Sequence, residues 1–168
     1  GFPVTEIIYN TSEQHRQVAV AIQQMWKQVL NIDIRLHNQD WKVYLDSVSS
    51  GNYQIARASW IGDYVDPNSF LDMWLTDGGN NRTGWSSKSY DELVQTIAPS
   101  AKTRQQRYAA LQQAESLLLD AMPIIPIYTY VSKHLIHPSV KGISSNLLDT
   151  PYYKYIYLQP ETQLSVTP

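Results

Sequence analysis

Residues 57–63 carry the side-chain types that could bind a charged ligand. Arg57 and Asp63 place opposite charges close to the indole ring of Trp60. A guanidinium group binds a carboxylate through paired hydrogen bonds, and a carboxylate in a pocket that holds little water binds an ammonium group. The segment therefore indicates separate binding positions for the two ends of a zwitterion. The competing interpretation is that Arg57 and Asp63 pair with each other or lie in water.

Alternating strands and helices precede these residues and must position them. Apolar alternation and helical periodicity predict three strands and two helices, at 4–9, 12–30, 32–36, 41–48 and 53–60. This β-α-β-α-β order favours an α/β fold with a mixed sheet flanked by helices. Residues 57–63 then begin at the C-terminal end of a strand, which is where open α/β sheets bind their ligands.

Local signals predict how the first two helices begin and which face they bury. Thr11 and Gln14 fit a capping box for the first helix, and Asp40 can cap the second. Apolar residues at helical spacing predict one buried stripe on the first helix, formed by Val18, Ile22, Met25, Trp26, Val29 and Leu30. We expect this stripe to pack on the sheet.

The second half of the chain predicts fewer strands and more helix. Residues 61–84, rich in glycine and asparagine, should form a long ordered loop with a brief helix at 70–75. Further predicted elements are helices at 86–98 and 103–122, a strand at 124–131, extended segments at 135–136 and 153–158, and a loose tail at 161–168. Tyr128 and Tyr130 lie two apart on the predicted strand and so share a face, with packing as their default role.

Composition excludes several classes of function. Thirteen Lys and Arg against fifteen Asp and Glu give a net charge of −2, which argues against a nucleic-acid binder or a polybasic membrane-surface module. The chain has no cysteine and only four histidines, none at a His-x-x-x-His spacing, so disulfides, thiol chemistry and zinc sites are not expected. No apolar run is long enough for a transmembrane helix.

Motifs for catalysis are also missing. The sequence contains no Gly-x-Ser-x-Gly, Walker or Gly-x-Gly-x-x-Gly motif. The aspartates at 63, 66, 72 and 77 do not match the spacing of a calcium-binding EF-hand, and Asp66-Pro67 and Asp77-Gly78 are typical of turns. We therefore expect a binding surface rather than an enzyme, with no cofactor and no metal.

Several motifs resemble those of the extracytoplasmic oligopeptide-binding proteins of ABC importers, solute-binding protein family 5. The resemblance extends from about Thr5 to Gln159 and is strongest in the block from Ala56 to Leu71. It also includes the strings Tyr9-Asn10-Thr11-Ser12, Trp26-Lys27, Asn38-Gln39-Asp40-Trp41-Lys42, Asn80-Asn81, Tyr90-Asp91, Ala114-Glu115 and Pro123-Ile124-Ile125-Pro126-Ile127-Tyr128.

The resemblance implies one lobe of a type II periplasmic-binding-protein fold. Residues 1–160 would form a single ligand-binding lobe, the C-terminal portion of a larger two-lobed protein. The implied partners are short peptides, an ABC permease of the inner membrane and the N-terminal lobe of the same protein. The implied location is periplasmic or extracytoplasmic, with a signal peptide that is not in this chain.

The resemblance also assigns roles to individual residues. By position, Asp63 matches an aspartate that pairs with the α-amino group of the peptide, whereas Arg57 and His15 match residues that can meet its C-terminal carboxylate when peptides differ in length. The other implied site residues are the pocket walls Trp41 and Trp60, the cleft tyrosine Tyr130, and Ser59 and Ile61, whose backbone groups bind the peptide as an added strand. Without the resemblance, His15 is more typical of a solvated residue in a first helical turn.

Two other interpretations of function stay open on the sequence. One is a receptor of the same fold for another ligand, such as a murein peptide, a metal chelate or haem. The other is a carboxylate-based hydrolase, which no motif in the sequence supports.

Overall fold

Parallel strands followed by helices form the first part of the chain, and helices dominate the second. The computed structural model describes residues 2–144, 146 and 148–159. The strands are β1 (Thr5–Asn10), β2 (Ile34–Gln39), β3 (Ile55–Ala56), β4 (Val140–Lys141) and β5 (Tyr157–Leu158). The α-helices are α1 (Glu13–Leu30), α2 (Trp41–Ser49), α3 (Asn68–Leu71), α4 (Lys88–Glu92), α5 (Ala98–Ser100) and α6 (Arg104–Ala121). Single turns of other helix types lie at Asp72–Trp74, Leu93–Ile97 and Tyr153–Tyr155.

The main sheet has the order β2-β1-β3, and both pairings are parallel. Its register runs from Thr5 opposite Ile34 to Asn10 opposite Gln39. The sheet therefore turns the carboxyl ends of all three strands to one edge. The predicted α/β class is confirmed, with antiparallel pairing confined to the separate strands β4 and β5.

The helix caps agree with the sequence analysis at one helix and differ at the other. Asp40 caps α2, because its carboxylate accepts a hydrogen bond from the Lys42 amide at 3.0 Å. The prediction that Thr11 caps α1 is wrong, since the Ser12 hydroxyl accepts the helical amide of His15. The Thr11 hydroxyl instead donates to the Gln39 carbonyl at 3.1 Å, beside the end of β2.

The apolar stripe of α1 is only partly buried, contrary to the prediction. Ala19 is buried, but Met25, Val29 and Leu30 are 60%, 80% and 56% exposed. Length explains the difference. Eighteen helical residues extend about 27 Å, whereas the six residues of β1 or β2 extend about 20 Å. The C-terminal end of α1 therefore passes beyond the sheet that the described residues form.

Two predicted strands differ from the structure. The strand predicted at 53–60 is reduced to Ile55–Ala56, because only these two residues form the ladder with β1 before the chain leaves the sheet. The strand predicted at 124–131 forms no ladder within the described residues, and Ile125 and Ile127 are exposed. Extended sequence alone does not supply a hydrogen-bonding partner. The segment predicted at 135–136 is likewise unpaired. Of the extended segment predicted at 153–158, only Tyr157–Leu158 form a strand, and Tyr153–Tyr155 form a helical turn. The predicted tail, 161–168, lies outside the described residues.

Two hydrophobic clusters support these elements. The sheet core contains Ile8, Tyr44 and Val48 and lies between β1 and α2. The helical core joins α3, α4, the turn after α4, α5 and α6, and its buried members are Leu71, Tyr90, Leu93, Val94, Ala98, Ala110, Leu111, Ala114 and Leu118. At its centre the fully buried Tyr90 donates its hydroxyl to the Leu71 carbonyl at 2.6 Å. No helix among the described residues is both long enough and apolar enough to cross a membrane.

Tyr90→Phe should lower the free energy of unfolding by about 1–3 kcal/mol, because the buried Leu71 carbonyl loses its donor. Tyr108→Phe is the matched control, since the Tyr108 hydroxyl bonds Arg104 at the surface and its loss should change stability less. Urea denaturation measures both values. An equal effect of the two substitutions would contradict a central role for the Tyr90 hydroxyl.

Candidate functional site

The three carboxyl strand ends bring together residues that are far apart in the sequence. His15 lies in the first turn of α1, which follows β1, and Trp41 is the first residue of α2, which follows β2. Arg57 comes directly after β3. Because the strands are parallel and adjacent, these three predicted site residues lie along the same edge of the sheet.

Arg57 is buried and held by its backbone. Its side chain and backbone together are only 8% exposed. Its amide donates to the Ile8 carbonyl at 2.9 Å, and its own carbonyl accepts the buried Tyr44 hydroxyl at 2.8 Å. Among the described residues no carboxylate forms an ion pair with Arg57, so the expected alternative of an Arg57–Asp63 pair is not found there. Within this part of the chain the guanidinium charge therefore has no anionic partner.

Two tyrosines from the unpaired segment after α6 lie against Arg57. The guanidinium donates a hydrogen bond to the Tyr130 hydroxyl and lies 5.8 Å from the centre of that ring. Tyr128 contacts Tyr130 edge to face at 5.0 Å, so the two side chains do share one side, as predicted. Burial raises the pKa of Tyr130, but hydrogen bonds with Tyr128 and Arg57 outweigh burial and leave the pKa below its ordinary value.

His15 is half-buried and has a defined hydrogen bond. Its Nδ1 lies 2.8 Å from the side-chain oxygen of Asn10. Because an amide oxygen only accepts, Nδ1 carries the proton, and Nε2 is left as an acceptor when the ring is neutral. Burial, followed by the positive charge of Arg57, lowers the pKa of His15 below its ordinary value. The lowered pKa therefore favours the neutral ring of His15, which gains a donor at Nε2 when it takes up a proton.

Trp41 projects from the start of α2 over a buried aromatic neighbour. It is 56% exposed, and its ring stacks on Tyr44 with centres 5.8 Å apart. Tyr44 is buried and also bonds the Arg57 carbonyl. Sequence analysis did not identify Tyr44, although its spacing of three from Trp41 on a helix places the two on one face.

The backbone at Ser59 and Ile61 is free of the sheet. Both residues are exposed, and neither forms a backbone hydrogen bond with the described residues. Free amide and carbonyl groups in an extended segment can pair with another extended chain. The backbone groups to which the resemblance assigns peptide contacts therefore have no backbone hydrogen bond within the described residues.

Trp60 and Asp63 are positioned by one buried residue, Ser69. The Trp60 Nε1–H donates to the Ser69 carbonyl at 2.8 Å, and the Asp63 amide donates to the Ser69 hydroxyl at 2.7 Å. The carboxylate of Asp63 is exposed and forms no ion pair within the described part. The expected pocket with little water around Asp63 is therefore absent from the described residues by themselves.

Asp66 follows in the same loop and has a structural role. Its carboxylate accepts the Asn68 amide at 2.9 Å, which is the turn that the sequence predicts. The same carboxylate binds Arg107 of α6 through two hydrogen bonds of 2.7 and 2.8 Å. The Arg107 side chain holds the pKa of Asp66 below its ordinary value. No group of three potential metal ligands occurs among the described residues.

Comparison with known proteins shows what the chain is similar to. The family of bacterial extracellular solute-binding proteins, family 5 Middle, matches residues 1–82. The periplasmic murein peptide-binding protein MppA of Escherichia coli (strain K12) is 38% identical over 153 residues, which cover 90% of this chain and 28% of that protein. The oligopeptide-binding protein OppA of Bacillus subtilis (strain 168) is 36% identical, over 94% of this chain and 29% of that protein.

A solved structure gives the same relationship. Haemophilus influenzae OppA, in complex with the peptide RPPGFSPFR, matches with a TM-score of 0.83 and 36% identity, over 93% of this chain and 31% of that one. The chain thus spans less than a third of the length of each of these relatives. Residues 1–82 match the bacterial extracellular solute-binding proteins of family 5, and the similarity to these relatives extends over at least 90% of the chain.

Proposed function

We propose that this chain is a ligand-binding lobe of an extracytoplasmic receptor that captures short peptides for an ABC importer. The observation that carries the proposal is Arg57, a buried cation with no carboxylate partner among the described residues, six positions before the exposed and unpaired Asp63. A peptide has one carboxylate and one ammonium group at its ends. The two residues provide a counter-ion for each.

The carboxylate end is assigned to Arg57 and His15. Arginine remains protonated even when buried, so Arg57 is a buried charge. Burying that charge costs free energy. A ligand carboxylate offsets that cost through charge-assisted hydrogen bonds. His15, whose pKa responds to the charge of Arg57, adds a second donor once it is protonated.

The middle of the peptide is assigned to backbone contacts. The free groups of Ser59 and Ile61 suit a peptide that adds as a strand, and such contacts do not depend on the side chains of the ligand. Trp41 and Trp60 would form walls of the side-chain pockets, and Tyr130 would line the cleft beside Arg57. This arrangement supports a receptor that accepts peptides of different sequence.

The amine end requires a second surface. Asp63 is exposed here, and an exposed carboxylate binds an ammonium group weakly. We assign the missing surface to an N-terminal lobe of the same protein, with residues 1–160 as the C-terminal one. The shared length with relatives supports this assignment, and so do the exposed apolar side chains after α6, namely Ile125, Ile127, Tyr128, Val131, Tyr152, Tyr153, Tyr155, Tyr157 and Leu158.

A murein peptide is the second candidate ligand, because one relative at 38% identity is a murein peptide-binding protein. Mass spectrometry of the ligand that co-purifies with the receptor distinguishes the two candidates. Peptides of varied sequence would support the first, and cell-wall peptides alone would support the second. In either case the permease of the inner membrane would be the partner that accepts the ligand.

Asp63→Asn in the full-length receptor should cost about 3–5 kcal/mol of binding free energy for trialanine with free ends, since the buried ammonium group loses its counter-ion. Calorimetry measures this loss. Asp77→Asn is the matched control, because Asp77 is an exposed aspartate of the same long loop. Unchanged affinity in Asp63→Asn would refute the role of Asp63.

The affinity for trialanine should rise as the pH falls from about 7.5 to 5.5, by at most about tenfold per pH unit for one proton. The pKa of His15 is lowered from 6.5 in the free protein, and a bound carboxylate raises it. Binding is therefore accompanied by proton uptake, and the gain in affinity is lost above the pKa of the complex.

Calorimetry at a series of pH values tests this dependence. A peptide amidated at its C-terminus should give a flat profile with the natural chain, and His15→Gln should give a flat profile with trialanine. A flat profile for trialanine with the natural chain would remove His15 from carboxylate binding.

A further inference from the structure

Ser69 lies behind the loop that presents Trp60 and Asp63, and it is only 1% exposed. Its hydroxyl accepts the amide N–H of Asp63 at 2.7 Å, and its carbonyl accepts the indole N–H of Trp60 at 2.8 Å. One residue thus fixes both a predicted pocket wall and the backbone of the predicted amine-binding residue. A hydroxyl that binds a backbone amide restrains the conformation of the residue to which the amide belongs.

Ser69 is itself fixed to the helical core. Its amide donates to the Asp66 carbonyl at 3.1 Å, and the Asp66 carboxylate binds Arg107 of α6 through two hydrogen bonds. Two residues further on, Leu71 is buried and accepts the Tyr90 hydroxyl. The position of Asp63 therefore depends on contacts with the buried helical core rather than on the loop alone.

Gly62 allows the loop to lie this close. A Cβ atom at position 62 would come within 3.0 Å of the Phe70 ring and 3.4 Å of the Ser69 hydroxyl oxygen. A side chain at position 62 would have to displace the Phe70 ring, so glycine lets the loop pass close to residues 69 and 70. The close approach and the two hydrogen bonds to Ser69 are thus parts of one arrangement.

We propose that Ser69 is a positioning residue for amine recognition, which holds the Asp63 backbone against the helical core and so sets how strongly the receptor prefers a free peptide N-terminus to a blocked one. The inference rests on the proposed function, in which Asp63 binds the α-ammonium group. A site that is ordered before binding loses less conformational entropy when the ligand arrives. Without the Ser69 hydroxyl, Asp63 must be ordered by the ligand itself.

The test compares trialanine with N-acetyl-trialanine in the full-length receptor by calorimetry. The ratio of the two affinities measures amine recognition. Ser69→Ala should lower this ratio by about tenfold, which corresponds to the loss of one hydrogen bond to a positioned group. A purely structural role would weaken both peptides equally and leave the ratio unchanged, which would overturn the inference.

Two further variants make the result specific. Ser69→Cys fills the same space with a poor acceptor, so it should lower the ratio as Ser69→Ala does, and it serves if the alanine variant does not fold. Ser47→Ala is the matched control, since Ser47 is a buried serine of α2 outside the loop, and the ratio should stay at its natural value. A natural ratio in Ser69→Cys would overturn the inference.

Asp63→Asn separates this inference from the proposed function. If Asp63→Asn leaves the ratio intact, Asp63 does not bind the amine and the proposed function fails at that residue. If Asp63→Asn abolishes the preference while the Ser69 variants retain it, only the inference fails. In the background of Asp63→Asn, Ser69→Ala should not change the ratio further, because the two residues act as one unit.

Discussion

The burial of Arg57 beside tyrosines, with no carboxylate partner among the described residues, is the constraint on which the candidate site depends. A guanidinium group stays charged, so burying it is favourable only if polar groups surround it. The protein supplies the Tyr130 hydroxyl and fixes the arginine backbone between Ile8 and Tyr44. The parallel sheet brings the site residues together, because its strands end at the same edge and His15 and Trp41 follow two of those ends.

Much of the fold can be predicted from local sequence signals. The predictions that fail do so because of contacts between distant parts of the chain. The β-α-β-α-β order and the Asp40 cap follow from short-range patterns and hold in the structure. The buried stripe of α1 and the strand at 124–131 do not, because burial needs an opposing surface and a strand needs a neighbour. The sequence of a segment alone does not show whether the fold supplies that surface or that neighbouring strand. Ser12 rather than Thr11 caps α1, because the Thr11 hydroxyl bonds the Gln39 carbonyl at the end of β2. That contact also joins residues far apart in the sequence.

Some residues of the candidate site can also be predicted from the sequence, and others become apparent only in the structure. Arg57 and Asp63 could be singled out because charge and an indole follow a predicted strand, whereas Trp41, Tyr130, Ser59 and Ile61 came from the family resemblance. Tyr44 and Ser69 were not found, since their functional relevance lies in what their hydroxyls touch in three dimensions. A serine in an Asp-Pro-Asn-Ser turn has no feature that distinguishes it from other turn residues. Such supporting residues become visible only when hydrogen bonds are traced outward from the charged groups.

The site lies at the junction of the sheet core and the helical core, which are separate clusters. Arg57 belongs to the first side, and Ser69 holds Asp63 to the second. A ligand that contacts both residues would add interactions that connect the two clusters. Because only the folded chain brings Arg57 and Asp63 together, such a ligand would stabilise both clusters at once, so recognition and stability in this chain share the same few atoms.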